Sequence, residues 1–223
     1  MCGVHELVDG EEVRVVREEI PIGAGGIDVI AIERPEDPAS LIQGWCNRAD
    51  LEVQIPYWAE IWPASRAIAR RLAKGGRLDG ESVLDLGCGL GLAGIAAGRL
   101  GAHVTFADYH PDALAFARRN AALCELGAAT FQQVDWRAPD WARPVDRVLG
   151  ADVVYERMDH EAIAELLRVL LSGGGTAWLG DPCRAIGADF VTDWTTRGGT
   201  ACSVRVEPYP GEDGAAIVHE LRR

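Results

Sequence analysis

No pair of the six cysteines stands at CxxC spacing, and none is matched with histidines at intervals that hold zinc. The cysteines fall at positions 2, 46, 88, 124, 183 and 202, and the five histidines (5, 103, 110, 160, 219) form no HxxxH pair. No metal site is therefore expected, and the thiols read as reduced and mostly buried, as in a cytoplasmic protein. Long apolar runs are missing too: nothing approaches the roughly 18 residues of a membrane span. The first residues lack the basic region followed by an apolar run that marks a leader. Positive charge is scarce, with 22 Lys and Arg against 34 Asp and Glu and a net charge of −12. That balance argues against nucleic acid and against an anionic membrane as partners. The one basic cluster, around Arg66, Arg70 and Arg71, reads as the solvated face of a helix. What is present is a chain of 223 residues with 48% hydrophobic content, enough for one α/β domain with a sizeable core.

Along the chain, two apolar-rich runs at 12–20 and 27–33 flank a glycine-rich turn and read as an N-terminal hairpin. A helix is expected around 38–48. Pro56-Tyr57-Trp58-Ala59-Glu60-Ile61-Trp62-Pro63 is too proline-punctuated for a regular element, and Pro63 opens a helix that runs to about Lys74. From Ser82 the pattern alternates. Strands are expected at 82–86, 103–107, 130–134, 146–151 and 176–180, with helices at 91–100, 111–125, 159–171 and 184–196. Strands separated by helices of this length imply parallel βαβ units with helices on both faces. The tail differs, since 201–208 and 215–221 flank Gly211-Glu212-Asp213-Gly214 and read as an antiparallel hairpin at the sheet edge. The expected organisation is an N-terminal extension over 1–50, packed on a core domain over 51–223.

The richest stretch is Val83-Leu84-Asp85-Leu86-Gly87-Cys88-Gly89-Leu90-Gly91, a buried strand breaking into a glycine-rich turn where a ligand can lie against bare main chain. Gly89-Leu90-Gly91-Leu92-Ala93-Gly94 satisfies G-x-G-x-x-G, so a dinucleotide has to be weighed. Asp85 at the strand end would oppose a diphosphate and favour a cation. S-adenosylmethionine (SAM) carries a sulfonium and an ammonium but no phosphate, and suits the site better. Asp108 ends the second strand, where a carboxylate holds ribose hydroxyls in either ligand class. Asp135 and Trp136 end the third, where one can accept from an exocyclic amine and the other offers a face for stacking. A turn cap and an ordinary rim aromatic are the plain alternatives for this pair.

Leu84-Asp85-Leu86-Gly87-Cys88-Gly89-Leu90-Gly91 resembles motif I of the class I, seven-stranded SAM-dependent methyltransferases. Trp58-Ala59-Glu60-Ile61-Trp62-Pro63-Ala64-Ser65 and Leu149-Gly150-Ala151-Asp152-Val153-Val154-Tyr155 look like the family-16 protein lysine methyltransferases. Pro56-Tyr57-Trp58 with Trp62-Pro63, and Leu179-Gly180-Asp181-Pro182, are most similar to the branch acting on the electron-transfer flavoprotein β-subunit. The resemblance covers about residues 50–223. It implies a Rossmann-like, seven-stranded, mostly parallel sheet with an antiparallel C-terminal hairpin. It also implies SAM as cofactor, S-adenosylhomocysteine as product, and a lysine-bearing protein as partner of a monomeric enzyme. Trp62, Gly87, Cys88, Gly89, Asp108, Trp136 and Ala151 fall on cofactor positions, to which the residue reading adds Asp85, Gly91 and Asp135. Asp152 and Tyr155 fall on the D-x-x-Y motif beside the methyl acceptor.

Methyl transfer from a sulfonium is an in-line displacement, so positioning supplies much of the catalysis. A lysine amine has to lose its proton first, at a cost of about 4–5 kcal/mol near pH 7. An anionic Asp152 would raise the amine's pKa, so its expected role is to hold and orient, with the proton going to water. Tyr155 is expected to hydrogen-bond and to wall the acceptor channel. Glu60 stands either against the acceptor or in solvent. Three other readings stay open at this point: a small-molecule N- or O-methyltransferase, an NAD-dependent oxidoreductase, and a non-catalytic SAM-binding protein.

Overall fold

The computed structural model describes residues 4–8, 11–46, 55–139, 143–212 and 214–223. The chain begins with a three-stranded antiparallel sheet of β1 (Val4–Val8), β2 (Glu11–Ala24) and β3 (Ile27–Pro35), in the order β1-β2-β3. β2 and β3 are the expected hairpin. The five residues of β1, too short to stand out as a periodic run, extend it to a sheet. α1 (Pro38–Cys46) follows; residues 47 and 48 of the helix expected there lie outside the described residues. Tyr57–Ala59 forms a short 3-10 turn before α2 (Pro63–Gly75). Then come β4 (Ser82–Leu86), α3 (Leu92–Arg99), β5 (His103–Asp108), α4 (Pro111–Leu123), β6 (Ala129–Gln133) and β7 (Arg147–Ala151). α5 (His160–Leu170), β8 (Thr176–Asp181), α6 (Ala185–Thr196), β9 (Thr200–Val206) and β10 (Ala216–Arg222) complete the chain. Each lies within two residues of its expected place. Asp213, in the turn before β10, lies outside the described residues.

The second sheet has seven strands in the order β6-β5-β4-β7-β8-β10-β9. β4 to β8 pair in parallel, and β10 is antiparallel to both β8 and β9. The chain steps outward from β4 to β5 and β6, then returns to the far side of β4 for β7. That reversal leaves a crevice beyond the carboxyl ends of β4 and β7, the place where open α/β sheets bind ligands. Side-chain alternation divides the core. Val83 of β4 packs with α2, α3 and α4 on one face, while Leu84 and Leu86 pack with α5 and α6 on the other.

The N-terminal sheet covers the first face. Ile20, Ile22, Ile30 and Ile32 are fully buried and join the core formed by α2, α3 and α4. Polar contacts fix it in place. Asn120 of α4, fully buried, accepts from the Glu33 N–H at 2.7 Å and donates to the Glu33 and Leu90 carbonyls, each at 3.0 Å. One amide thus joins β3 to the glycine-rich turn after β4. The basic cluster on α2 is not solvated, contrary to expectation. Arg70 is 3% exposed; it donates to the Pro21 carbonyl and to Glu212 and lies 3.8 Å from the centre of the Tyr209 ring. Arg66 pairs with Glu18 and Glu212, and Arg71 with Glu220. α2 is covered on this side by the N-terminal sheet and the loop before β10, so its arginines serve as joints. The thiols also depart from expectation in part: Cys88 is buried, but Cys183 and Cys202 are exposed.

Candidate active site

A cavity of about 550 Å³ opens at the carboxyl ends of β4, β5, β6 and β7, a size that suits a nucleoside-sized ligand. Its floor is the turn after β4. Gly87 and Gly89 have φ of +63° and +51°, which a residue with a side chain adopts only with strain. There is no room for one either. A Cβ on Gly87 would stand 2.8 Å from a Val153 methyl, and one on Gly89 would stand 3.2 Å from the Trp58 carbonyl oxygen. Bare backbone therefore faces the ligand space at Gly87, Cys88 and Gly89. The Cys88 thiol is buried and its pKa is pushed well up by desolvation and by the nearby Asp108 and Asp85, so it carries no reactive thiolate.

Asp108 closes the turn from the side. Its Oδ2 accepts from the Gly89 N–H and its Oδ1 from the His110 N–H, each at 2.9 Å. Burial raises its pKa, and these backbone donors with the His110 ring act against that rise. His110 caps α4, its Nδ1 accepting from the Asp112 N–H at 3.2 Å. Its ring lies 5.6 Å from that of Trp58. Trp136 stands beside the turn, its ring 3.4 Å from where a Cβ on Gly87 would lie, and its buried indole N–H has no hydrogen-bond acceptor among the described residues. Asp135 lines the cavity and also accepts from the Arg137 N–H at 2.9 Å, so the ligand-facing reading and the turn-cap reading both describe it.

The far end is built from the turn after β7 and from the segment preceding α2. Asp152 has φ +60° and its N–H donates to the Gly180 carbonyl at 2.9 Å, tying it to β8. Its carboxyl is paired with Arg184. The Tyr155 phenol is pushed up to about 12, first by burial and then by Glu156 and Asp159, so at neutral pH it is a donor and not a base. Tyr57 packs edge-on against both Tyr155 and Trp62, at 5.9 and 6.2 Å between ring centres. The Trp62 indole donates to the Tyr57 carbonyl at 2.9 Å. Glu60 and Glu156 also line this end. Trp58 is 7% exposed and packs between His110 and Phe116, a packing role as well as a cavity wall.

Of the residues singled out in the sequence, Trp62, Gly87, Cys88, Gly89, Asp108, Asp135, Trp136, Ala151, Asp152 and Tyr155 are brought together here. Asp85 and Gly91 are not. Strand alternation turns Asp85 inward, toward α3, where it is 1% exposed. Its Oδ2 accepts from the Gly94 N–H at 2.8 Å, satisfying one of the open donors in the first turn of α3. Its pKa is raised to about 8 by burial, with Asp108 adding to the effect, so at pH 7 it is mostly uncharged. The expected attraction between Asp85 and a cationic ligand is thereby corrected: its work is to seat the helix. The resemblance to a dinucleotide motif has a packing cause. A Cβ on Gly94 would lie 2.4 Å from the Phe106 ring and 2.7 Å from Asp85 Oδ2. Gly91 caps α3 and faces Phe106 and Ala117. Sequence reasoning gave no site role to Arg184, His110 or Tyr57. Two of them carried a signal: Tyr57 stands in the Pro56-Tyr57-Trp58 segment of the family resemblance, and His110 directly before the helix-opening Pro111.

Comparison with known proteins agrees with this geometry. A family model described as lysine methyltransferase matches residues 56–179. The electron transfer flavoprotein beta subunit lysine methyltransferase of Danio rerio is 34% identical over 58% of this chain and 51% of its own length. The histone-arginine methyltransferase METTL23 of Mus musculus is 30% identical over 61% of this chain and 68% of its own. The chain spans about half the length of the flavoprotein-subunit relatives it matches. In fold, it is similar to the magnesium protoporphyrin IX methyltransferase of Synechocystis solved with bound SAM. There the TM-score is 0.57 at 18% identity, covering 81% of this chain and 91% of that one. The span matched by the family model contains every cavity-lining residue except Ile55, and the chain belongs to the lysine methyltransferase family.

Proposed function

We propose that this protein transfers a methyl group from SAM to the side-chain amine of a lysine in a protein. The observation that carries the reading is that one cavity joins a nucleoside-sized cradle to the Asp152–Tyr155 pair. The residues present fit the cofactor. Gly87 to Gly89 offer bare backbone, Asp108 presents a fixed carboxylate for ribose hydroxyls, and Trp136 lines the space with an indole N–H that has no partner among the described residues. When bound, SAM supplies an electrophilic methyl on a sulfonium. The protein's part is placement: Asp152 accepts a hydrogen bond from the amine and aims its lone pair, Tyr155 donates from the wall, and the proton leaves to water. Desolvation inside the aromatic end and the neighbouring sulfonium lower the amine's pKa toward the neutral form. A lysine-bearing protein is favoured as acceptor by the named lysine methyltransferase relatives.

Radiolabelled SAM incubated with a lysate of the source cells tests the reading, with protein and small-molecule fractions counted separately and Asp152→Ala run alongside. Label in a discrete protein band, lost with the variant, is the expected result. Label confined to small molecules would move the acceptor to a metabolite. Thermal protection by NAD and none by S-adenosylhomocysteine would overturn the cofactor.

A further inference from the structure

Asp152 raises a difficulty for amine methylation. A bare carboxylate beside an amine stabilises the ammonium form, and an ammonium has no lone pair to accept a methyl group. The other carboxylates lining the cavity, Asp108, Asp135, Glu60 and Glu156, push the same way. Arg137, the one arginine lining the cavity among the described residues, is engaged by Asp159 at 3.3 Å and Asp135 at 3.7 Å. His110, Cys88, Tyr57, Tyr109 and Tyr155 are the other titratable side chains of that lining, and the Tyr155 phenol is a neutral donor at neutral pH.

The compensating charge comes from outside the cavity. Nη2 of Arg184 pairs with Oδ1 of Asp152, and Arg184, unlike Asp152, is not part of the cavity lining. Both partners are held by backbone. Arg184 is the capping residue of α6, in extended conformation at φ −87° and ψ 150°, and its N–H donates to Asp181 Oδ1 at 2.6 Å. Asp181 is 2% exposed. Backbone N–H groups of Arg184 and Cys183 serve its carboxyl, and His219 lies near it. Its Oδ2 is 3.9 Å from Arg184 Nε, while Nη2 meets Asp152. Burial lowers the Arg184 pKa, but an arginine starts so high that it keeps its proton near neutral pH.

We propose that Arg184 is a positioning residue for methyl transfer, cancelling the charge of Asp152 from behind so that the carboxylate can orient the acceptor amine without keeping it protonated. The inference rests on the proposed amine methyltransferase activity.

The test is the pH dependence of labelled methyl transfer from SAM into the protein of a heat-treated lysate of the source cells. Wild type, Arg184→Gln and Arg184→Lys are compared, with calorimetric S-adenosylhomocysteine affinity as the structural control. In Arg184→Gln the acid limb of the rate profile is expected to move up by about one pH unit. The rate then falls roughly tenfold at pH 7 and recovers in alkali, while cofactor affinity stays within about threefold of wild type. Arg184→Lys is expected to return the limb toward the wild-type position. An unshifted limb, or a loss equal at every pH, would overturn the inference and leave the methyltransferase reading intact. No transfer into protein by the wild type would remove that reading and this inference together. Arg184→Gln leaves a carboxylate bare and can cost folding, so the double variant Asp152→Asn/Arg184→Gln carries the same test. With both charges gone its limb is expected at the wild-type pH, though at a lower rate, and a raised limb there would also overturn the inference.

Discussion

The two ends of the cavity are built from different materials. At the β4–β5 end the contacts are backbone: a glycine turn held by Asp108 through the Gly89 and His110 N–H groups, with strand ends fixing every position. At the β7–β8 end the contacts are side chains from segments far apart in sequence: Asp152 with Arg184, and Tyr57 with Tyr155. The first end can present one shape to one nucleoside whatever is methylated. The second can change its acceptor by exchanging side chains while the sheet stays as it is. Relatives named for lysine in one case and arginine in another fit that division.

Substitutions should separate the ends. Asp152→Ala should lower methyl transfer at least about 100-fold by removing the group that orients the amine. Calorimetric affinity for S-adenosylhomocysteine should stay within about threefold; an equal loss of both would erase the distinction. Asp108→Ala should do the reverse, weakening that affinity about 30-fold or more because charge-assisted hydrogen bonds to the ligand and to the turn are lost together. Tyr155→Phe should cost transfer about tenfold with unchanged cofactor affinity, the value of one hydrogen bond from a phenol that stays protonated up to about 12.

Two further substitutions address the support beneath the first end. Asn120→Ala leaves the Glu33 amide and carbonyl and the Leu90 carbonyl without their partner. It should cost about 2–3 kcal/mol in denaturant unfolding. The last substitution concerns Asp85. Its folded pKa of about 8 lies above its unfolded value near 3.9. The folded state therefore holds an extra proton between those values, and stability falls as pH rises from about 4 to about 8. Asp85→Asn should flatten that slope and raise the melting temperature at pH 8 by a few degrees. A variant that melts earlier than wild type at pH 8 would show that the ionised carboxylate is the form the fold prefers.

The same division explains what could be read from the sequence. Strand and helix boundaries from residue 82 onward follow from local pattern: a buried β-branched run, a glycine stop, a proline start. The cradle was legible because Gly87, Gly89 and Asp108 act at the ends of such elements. Asp85 was misplaced, since strand-end position was read without asking which face the alternation gives it; Val83 and Asp85 share the α3 face. Arg66 and Arg70 were misread because their partners, Glu18 and Glu212, lie 48 and 142 residues away from the arginines they meet. Arg184 left no local trace for the same reason, and neither did the lock between Asn120 and Glu33, which ties β3 to the turn.

The central claim is that the Asp152 end acts on a lysine amine while the glycine end holds SAM. The most direct measurement is to label source-cell protein with the wild-type enzyme and methyl-labelled SAM, hydrolyse it, and identify the labelled amino acid beside an Asp152→Ala control. Nε-methylated lysine from the wild type, and none from the variant, is the expected result. Label in methylarginine, in no protein residue at all, or at equal levels in the variant would contradict the account.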